Sequence, residues 1–272
     1  MESALQLQET GEKAIALDRD DLPRVEDLVT EDDTPVDNLG SEKNQRLLTE
    51  PLYSSWHGGG RKFVAAANVG LFFSVREPPV VPDAFLSLDV EVHPDYWAKV
   101  HRTYFFWEFG KAPDVVIEIV SNARGGERRD KMVTYARMGI PYCAIFDPSR
   151  RIQAELLTAY RWTAARCYEE VSAELFPGVG LGLAVWRGTF EDGDGVWLRW
   201  READGELILT GSERAQREQE RADHEQERAD REQERADREQ ERADREQERA
   251  DREQERADRL AVRLRELGIE PD

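Results

Sequence analysis

Apolar positions crowd the middle of the chain and thin out towards both ends. Residues 1–40 carry few aromatic or β-branched side chains and no sustained period, so they cannot bury enough surface to offset the entropy of ordering. They read as a mostly disordered acidic arm that becomes ordered near Pro35. A helix start follows at Ser41, where SEKNQRLL offers Leu47 and Leu48 as a small apolar face. From Lys62 the texture changes. KFVAAANVGLFFSV, after the Gly58, Gly59, Gly60 turn and before Pro78 and Pro79, predicts one or two strands. VVPDAFLSLDV and PDVVIEIV predict two more, and the second alternates so weakly that it fits a strand buried on both faces. The aromatic-rich HPDYWAKVHRTYFFWEFGK connects them.

After Ser121 the period lengthens. GGERRDKMVTYARMG spaces Met132, Tyr135, Ala136 and Met138 as on a helix, with Gly139 suited to its stop, and the chain returns through the central-strand run YCAIFDP. Strand, helix, strand in this order is a βαβ unit of an α/β sheet. RIQAELLTAY, GVGLGLAVWRGTF, VWLRWRE and ELIL are shorter strand candidates, expected to form a β extension or cover. The last region repeats every seven residues, with ERADREQ unchanged four times from Glu227 to Gln254. Nothing in it breaks a helix, and Glu227 to Arg231 pairs recur at i,i+4. With Ala222, Ala229, Ala236, Ala243 and Ala250 at d, the a positions are glutamines, a seam that buries little. A solvated single helix and a weak or heteromeric coiled coil both remain open. Leu260, Ala261, Leu264 and Leu267 form its one apolar stripe.

Composition alters this picture through charge. The 272 residues carry a formal net charge of −19 and a mean hydropathy of −0.72, which argues against a chain cationic over its whole surface. The charge is uneven: residues 1–40 hold 12 acids and 3 bases, residues 213–261 hold 19 and 13, and residues 41–212 hold 23 and 20. The middle is close to neutral. Cys143 and Cys167 lack metal-ligand spacing and read as buried free thiols. No apolar run approaches a membrane span, and MESALQLQET has neither a basic nor an apolar leader region, so a cytoplasmic protein is expected. The division expected is an arm over 1–40, a core domain over 41–211 and a charged helix over 212–272.

HExxH, GxSxG and Walker patterns are missing from the sequence, and His57, His93, His101 and His224 show no ligand spacing. What remains is a set of acids on strands. Asp83 follows Pro82 at the head of an apolar strand, and Glu118 interrupts VVIEIV. A carboxylate there is unfavourable unless paired or bound to a metal. Two on neighbouring strands would hold Mg2+ or Mn2+, with the Ile119 carbonyl and waters completing an oxygen shell. Lys131, on the following helix one turn before Tyr135, would reach back to them. The alternative is a buried Lys131–Glu118 or Arg–Asp83 ion pair without catalysis.

Pro82–Asp83, Pro113-Asp114-Val115-Val116-Ile117-Glu118-Ile119-Val120-Ser121, Asp130–Lys131, Tyr135, Gly139-Ile140-Pro141-Tyr142 and Phe146-Asp147-Pro148 resemble the Uma2 family of endonucleases, within the PD-(D/E)XK restriction-endonuclease-like superfamily. The similarity spans roughly residues 35–210, and TPVDNLGSEKNQRLL, PLYSSW and the ending LRELGIEPD resemble one subgroup. The resemblance implies a restriction-endonuclease-like α/β fold, a mixed sheet flanked by helices. It also implies Mg2+- or Mn2+-dependent hydrolysis of DNA, with Asp83 and Glu118 as metal-binding acids and Lys131 as the catalytic lysine. In the simplest superfamily pattern the lysine lies two residues after the acid, where this chain has Val120, so the lysine is displaced onto the helix, with Arg128 as runner-up. Many relatives carry Tyr–Glu ahead of the first helix; here Glu42 is the nearest acid on offer. Arg124, Arg128 and Arg129 either neutralise neighbouring phosphates or form a solvated first helical turn. The competing functional reading is an inactive nuclease fold that serves as an interaction or scaffold module, with a second copy or a protein partner on its C-terminal helix.

Overall fold

A computed structural model describes residues 38–99, 101–121 and 126–266. The acidic arm lies outside them except for its last three residues. Helix α1 (Leu39–Pro51) starts two residues before the predicted Ser41, because Asn38 supplies the cap: its Oδ1 accepts from Ser41 N at 2.9 Å. The chain then passes through a wide turn, Leu52–Trp56, and the expected glycine turn, His57–Gly60. Gly58 there has φ +80°, and a Cβ on it would lie 2.8 Å from the Phe63 ring.

In chain order follow β1 (Phe63–Ala67), β2 (Leu71–Phe72), β3 (Ala84–Leu88), β4 (Tyr104–Phe105), the short α2 (Phe106–Phe109), β5 (Val115–Ile119), α3 (Gly126–Met138), β6 (Tyr142–Phe146), β7 (Leu157–Trp162), β8 (Tyr168–Val171), β9 (Leu181–Phe190), β10 (Gly193–Glu202) and α4 (Gly211–Glu266). The main sheet is mixed, with order β1-β3-β5-β6-β7-β8, and β5 and β6 form its parallel pair. They are the strands joined by α3, as the βαβ reading requires. Every residue of β3, β5 and β6 is buried, which is why these strands read as continuous apolar runs. Gly139, with φ +72°, ends α3 as expected.

The two sides of the sheet carry separate cores. On one, Leu48 from α1 and Leu52 from the wide turn after it meet Leu86, Val115, Ile117 and Phe146, closed over by Leu183, Leu198 and Trp200 of the β9–β10 hairpin. On the other, Phe85, Val116 and Cys143 meet Tyr135 and Met138 of α3, with Leu71 and Tyr104 from the small parallel β2–β4 pair.

The later strands divide between the two expected roles: β7 and β8 extend the main sheet, because β7 lies antiparallel to β6 over Leu157–Arg161, and the β9–β10 hairpin is the cover. Two expectations need correction. ELIL makes an isolated Arg201–Leu207 bridge rather than a strand. Cys143 is a buried free thiol, but Cys167 is exposed, at the turn where Thr163 N donates to its carbonyl.

Helix α4 is 56 residues long, about 84 Å at 1.5 Å per residue. Its start is a reciprocal cap: Thr210 N donates to Glu213 Oε2 at 2.8 Å and Glu213 N to Thr210 Oγ1 at 3.2 Å. Arg199, 3 % exposed on β10, grips the same Glu213 through two bonds of 2.8 and 2.5 Å. From Arg214 to Leu260 every side chain is exposed. Each repeat there carries two i,i+4 ties, such as Gln233 to Asp237 at 2.8 Å and Arg238 to Glu234 at 3.4 Å. Among the described residues no helix is long and apolar enough to cross a membrane.

Candidate active site

Strand phase decides which acids meet. On β5, Val115, Ile117 and Ile119 belong to the α1 side, so Val116 and Glu118 turn to the α3 side. The β3–β5 register pairs Ala84 with Ile117 and Phe85 with Val116. One step further sets Asp83 opposite Glu118, and residues directly opposite in an antiparallel pair share a face, with Cβ atoms about 4.5–5.5 Å apart. Asp83 is tied to β5 by its side chain as well, since its Oδ2 accepts from Ile119 N at 2.5 Å. Its backbone carbonyl accepts from Asn68 N at 3.3 Å.

Glu118 is 4 % exposed. Its Oε1 accepts from the Tyr135 hydroxyl at 2.5 Å and its Oε2 from Lys131 Nζ at 3.0 Å. Lys131 and Tyr135 stand four residues apart and so share one face of α3. Lys131 Nζ also donates to the Val81 carbonyl at 2.9 Å, which fixes the ammonium between the chain just ahead of Asp83 and the Glu118 carboxylate. Burial pushes the Tyr135 phenol well above its ordinary range, and the adjacent carboxylate raises it further. Tyr135 therefore stays protonated and remains a donor to Glu118.

The structure thus brings Asp83, Glu118 and Lys131 together, with Ile119 as the last residue of β5. Glu42 stands elsewhere, in an exposed pair with Arg46 at 2.8 Å. Arg124 and the side chains of Arg128 and Arg129 lie outside the described residues. Asp147, fully buried, accepts from the backbone of Arg151, Ile152 and Gln153 at 2.9, 2.8 and 3.2 Å, so it shapes the loop after β6.

Two residues beside the site were not found in the sequence. Gln45 of α1 and Asn68 bond reciprocally, with Asn68 Nδ2 to Gln45 Oε1 at 3.1 Å, and Asn68 holds the Asp83 carbonyl. Asn68 has φ +55°, and an asparagine directly after a strand was the available signal. Tyr135, visible as a helix-face residue, acquires its hydroxyl partner only in three dimensions.

Among the described residues no three His, Cys, Asp or Glu side chains gather as a metal cluster. The donors present, two carboxylates and a backbone carbonyl, are hard oxygens of the kind Mg2+ and Mn2+ take. A carboxylate has about four lone-pair sites, so Glu118 can keep Tyr135 and Lys131 and still ligate a cation. The residues fit such an ion.

A family model described as "Uma2: Putative restriction endonuclease" matches residues 33–185. Among solved structures, a crystal structure of "a putative nuclease belonging to DUF820 from Anabaena variabilis ATCC 29413" is similar at 15% identity and a TM-score of 0.37, over 53% of this chain and 76% of that one. Comparison with the curated proteins finds no match.

Proposed function

The chain belongs to the Uma2 family, and from that membership we propose that it is a metal-dependent endonuclease hydrolysing DNA phosphodiester bonds. The observation that carries this reading is the register: Asp83 and Glu118 oppose one another across β3 and β5, with Lys131 bonded to Glu118. Asp83, Glu118 and the Ile119 carbonyl would hold Mg2+ or Mn2+. When bound, such an ion supplies charge against the phosphate and acidifies a coordinated water.

The chain's own groups do the rest. Tyr135 and Lys131 hold the two Glu118 oxygens, so the carboxylate keeps one rotamer through the reaction. The Lys131 ammonium, fixed between Val81 and Glu118 and 24% exposed, offers a preplaced positive charge to the phosphate as it gains negative charge. Arg124, Arg128 and Arg129 are assigned to flanking phosphates. The division proposed is the arm over 1–40, the nuclease-like domain over 41–211 and the charged helix over 212–272.

Plasmid cleavage with Mg2+ or Mn2+, set against the same reaction with a chelator, tests the assignment alongside Asp83→Asn and Glu118→Gln. Each variant is expected to lose roughly 100-fold or more in rate, the scale of removing one preorganised electrostatic group. The engagement of both Glu118 oxygens by protein donors supports a second reading, a resting ion pair in an inactive scaffold that acts through α4. A wild-type protein that neither cleaves nor binds metal selects that second reading.

A further inference from the structure

The segment between β3 and β4, described over residues 89–99 and 101–103, is folded by its own bonds around Asp95. Asp95 Oδ1 accepts from Trp97 N and Ala98 N, each at 3.1 Å, and the Asp95 carbonyl accepts from His101 Nδ1 at 3.0 Å. Asp95 N donates to His93 Nδ1 at 3.1 Å, and the two imidazoles stack with ring centroids 4.0 Å apart. The turn closes where His101 N and Arg102 N both donate to the Ala98 carbonyl. A loop tied in this way still turns its two largest rings outward: Trp97 is 93% exposed and Tyr96 60%. A ring left in water forgoes the stabilisation of burial, and a loop already ordered loses little entropy on binding, so the indole is placed for a partner.

Charge indicates which partner. Residues 93–103 hold two bases, Lys99 and Arg102, and one acid, Asp95, in a chain of net charge −19. Both bases are exposed, and among the described residues neither enters an ion pair, whereas Asp89 and Glu91 at the loop's entry are taken up by Arg61 and Lys62. An indole and a phenol beside an ammonium and a guanidinium suit a strand that offers base faces and phosphates together. Bases in an intact duplex cover each other's faces, so the indole meets one only where the strand is unpaired. The loop's exit is tied close to the acid cluster. Thr103 Oγ1 donates to the Gly70 carbonyl at 2.7 Å and Tyr104 N at 3.2 Å, two residues beyond Asn68, whose N–H holds the Asp83 carbonyl. At about 3.6 Å per residue at most, this path keeps Arg102 within roughly 20 Å of Asp83, a few nucleotides of a bound strand. We infer that Trp97, with Tyr96, stacks on an unpaired base of the substrate while Lys99 and Arg102 hold its phosphates, so that the strand cut at Asp83 and Glu118 is single-stranded beside the site. The cutting rests on the nuclease reading above; the stacking does not.

The test uses the full chain with a chelator present and follows, by anisotropy, the binding of a fluorescent oligothymidine and of a blunt duplex of equal length. The single strand is expected to bind about tenfold more tightly, the scale of one base stacked on an aromatic ring. Trp97→Ala, at a position too exposed to threaten folding, is expected to remove that margin, and Trp97→Phe, which keeps a ring, to retain most of it. Exchanging Lys99 and Arg102 together for glutamate is expected to weaken both probes and to flatten the salt dependence. In cleavage of a single strand, Trp97→Ala raises KM by the factor it costs in binding. A single strand bound no better than the duplex, or bound equally by wild type and Trp97→Ala, overturns the stacking platform even if the protein cleaves plasmid. Vesicles of phosphatidylcholine and phosphatidylserine offer the other surface that takes indoles beside bases. Binding to them that depends on Trp97, without binding to the strand, overturns the platform in favour of a lipid surface. A wild type that cleaves nothing with Mg2+ or Mn2+ but whose strand binding depends on Trp97 removes the nuclease reading and leaves the platform standing.

Discussion

Replacing Tyr135 with phenylalanine isolates one bond of the acid cluster. The ring is fully buried and its hydroxyl donates to Glu118 Oε1 at 2.5 Å, so Tyr135→Phe removes one oxygen atom and keeps the packing. A hydrogen bond to a charged group contributes about 1.5–3 kcal/mol, and the loss leaves a buried carboxylate oxygen with one donor fewer. For a domain of this size each kcal/mol shifts Tm by about 2–4 °C, so the expected drop is roughly 3–12 °C. Urea denaturation at pH 7 with an unchanged m-value is the assay. The phenol is held above its ordinary range in the fold, whereas an unfolded tyrosine ionises near about pH 10. As far as the phenol is concerned, the contribution is therefore complete below about pH 10 and declines as pH rises beyond it, so wild type and variant converge on the alkaline side. A difference under about 0.5 kcal/mol at pH 7 would refute the claim that Tyr135 supports the Glu118 charge.

Two further outcomes follow from the structure. Glu213→Gln leaves Arg199, 3 % exposed, without its carboxylate; because Glu213 itself is 35% exposed, the loss is expected near 2–3 kcal/mol rather than the 3–5 of a fully buried pair, read by urea denaturation. Burial pushes the Glu213 carboxyl up, but the Arg199 guanidinium and the Thr210 N–H together bring it below the usual range, so its stabilisation persists above about pH 4.3 and is lost as pH falls through the lower folded value. Deleting residues 215–272 removes a helix whose side chains are exposed from Ala215 to Leu260, so Tm is expected to move by less than about 1 °C, and 1 M NaCl is expected to lower the helicity of the full chain by screening its i,i+4 pairs. A dimer in sedimentation velocity that disappears on truncation would establish the coiled coil instead.

Much of the scaffold was legible because its elements are locally encoded. β5, α3 and β6 announce themselves by a continuous apolar run, a 3.6-residue period with a glycine stop and a second apolar run. The capping box at Thr210 and Glu213 was there to be read as well. What local pattern does not contain is partner choice between strands. RIQAELLTAY and VWLRWRE look like any short half-buried strands, and whether each continues the sheet or folds over it depends on which edge is free once β6 is placed.

The same limit runs through the site. Asp83, Glu118 and Lys131 could be picked out from sequence alone, since a charge within an apolar strand needs a partner and a lysine thirteen residues on can supply one. Their meeting required the β3–β5 register, because a one-residue slip would turn Glu118 to the α1 core. Sequence by itself determined which residues are costly to bury and which segments have a helical or extended period. The tertiary structure decided which of them share a face, because that depends on strand register and on the packing of elements distant in the chain.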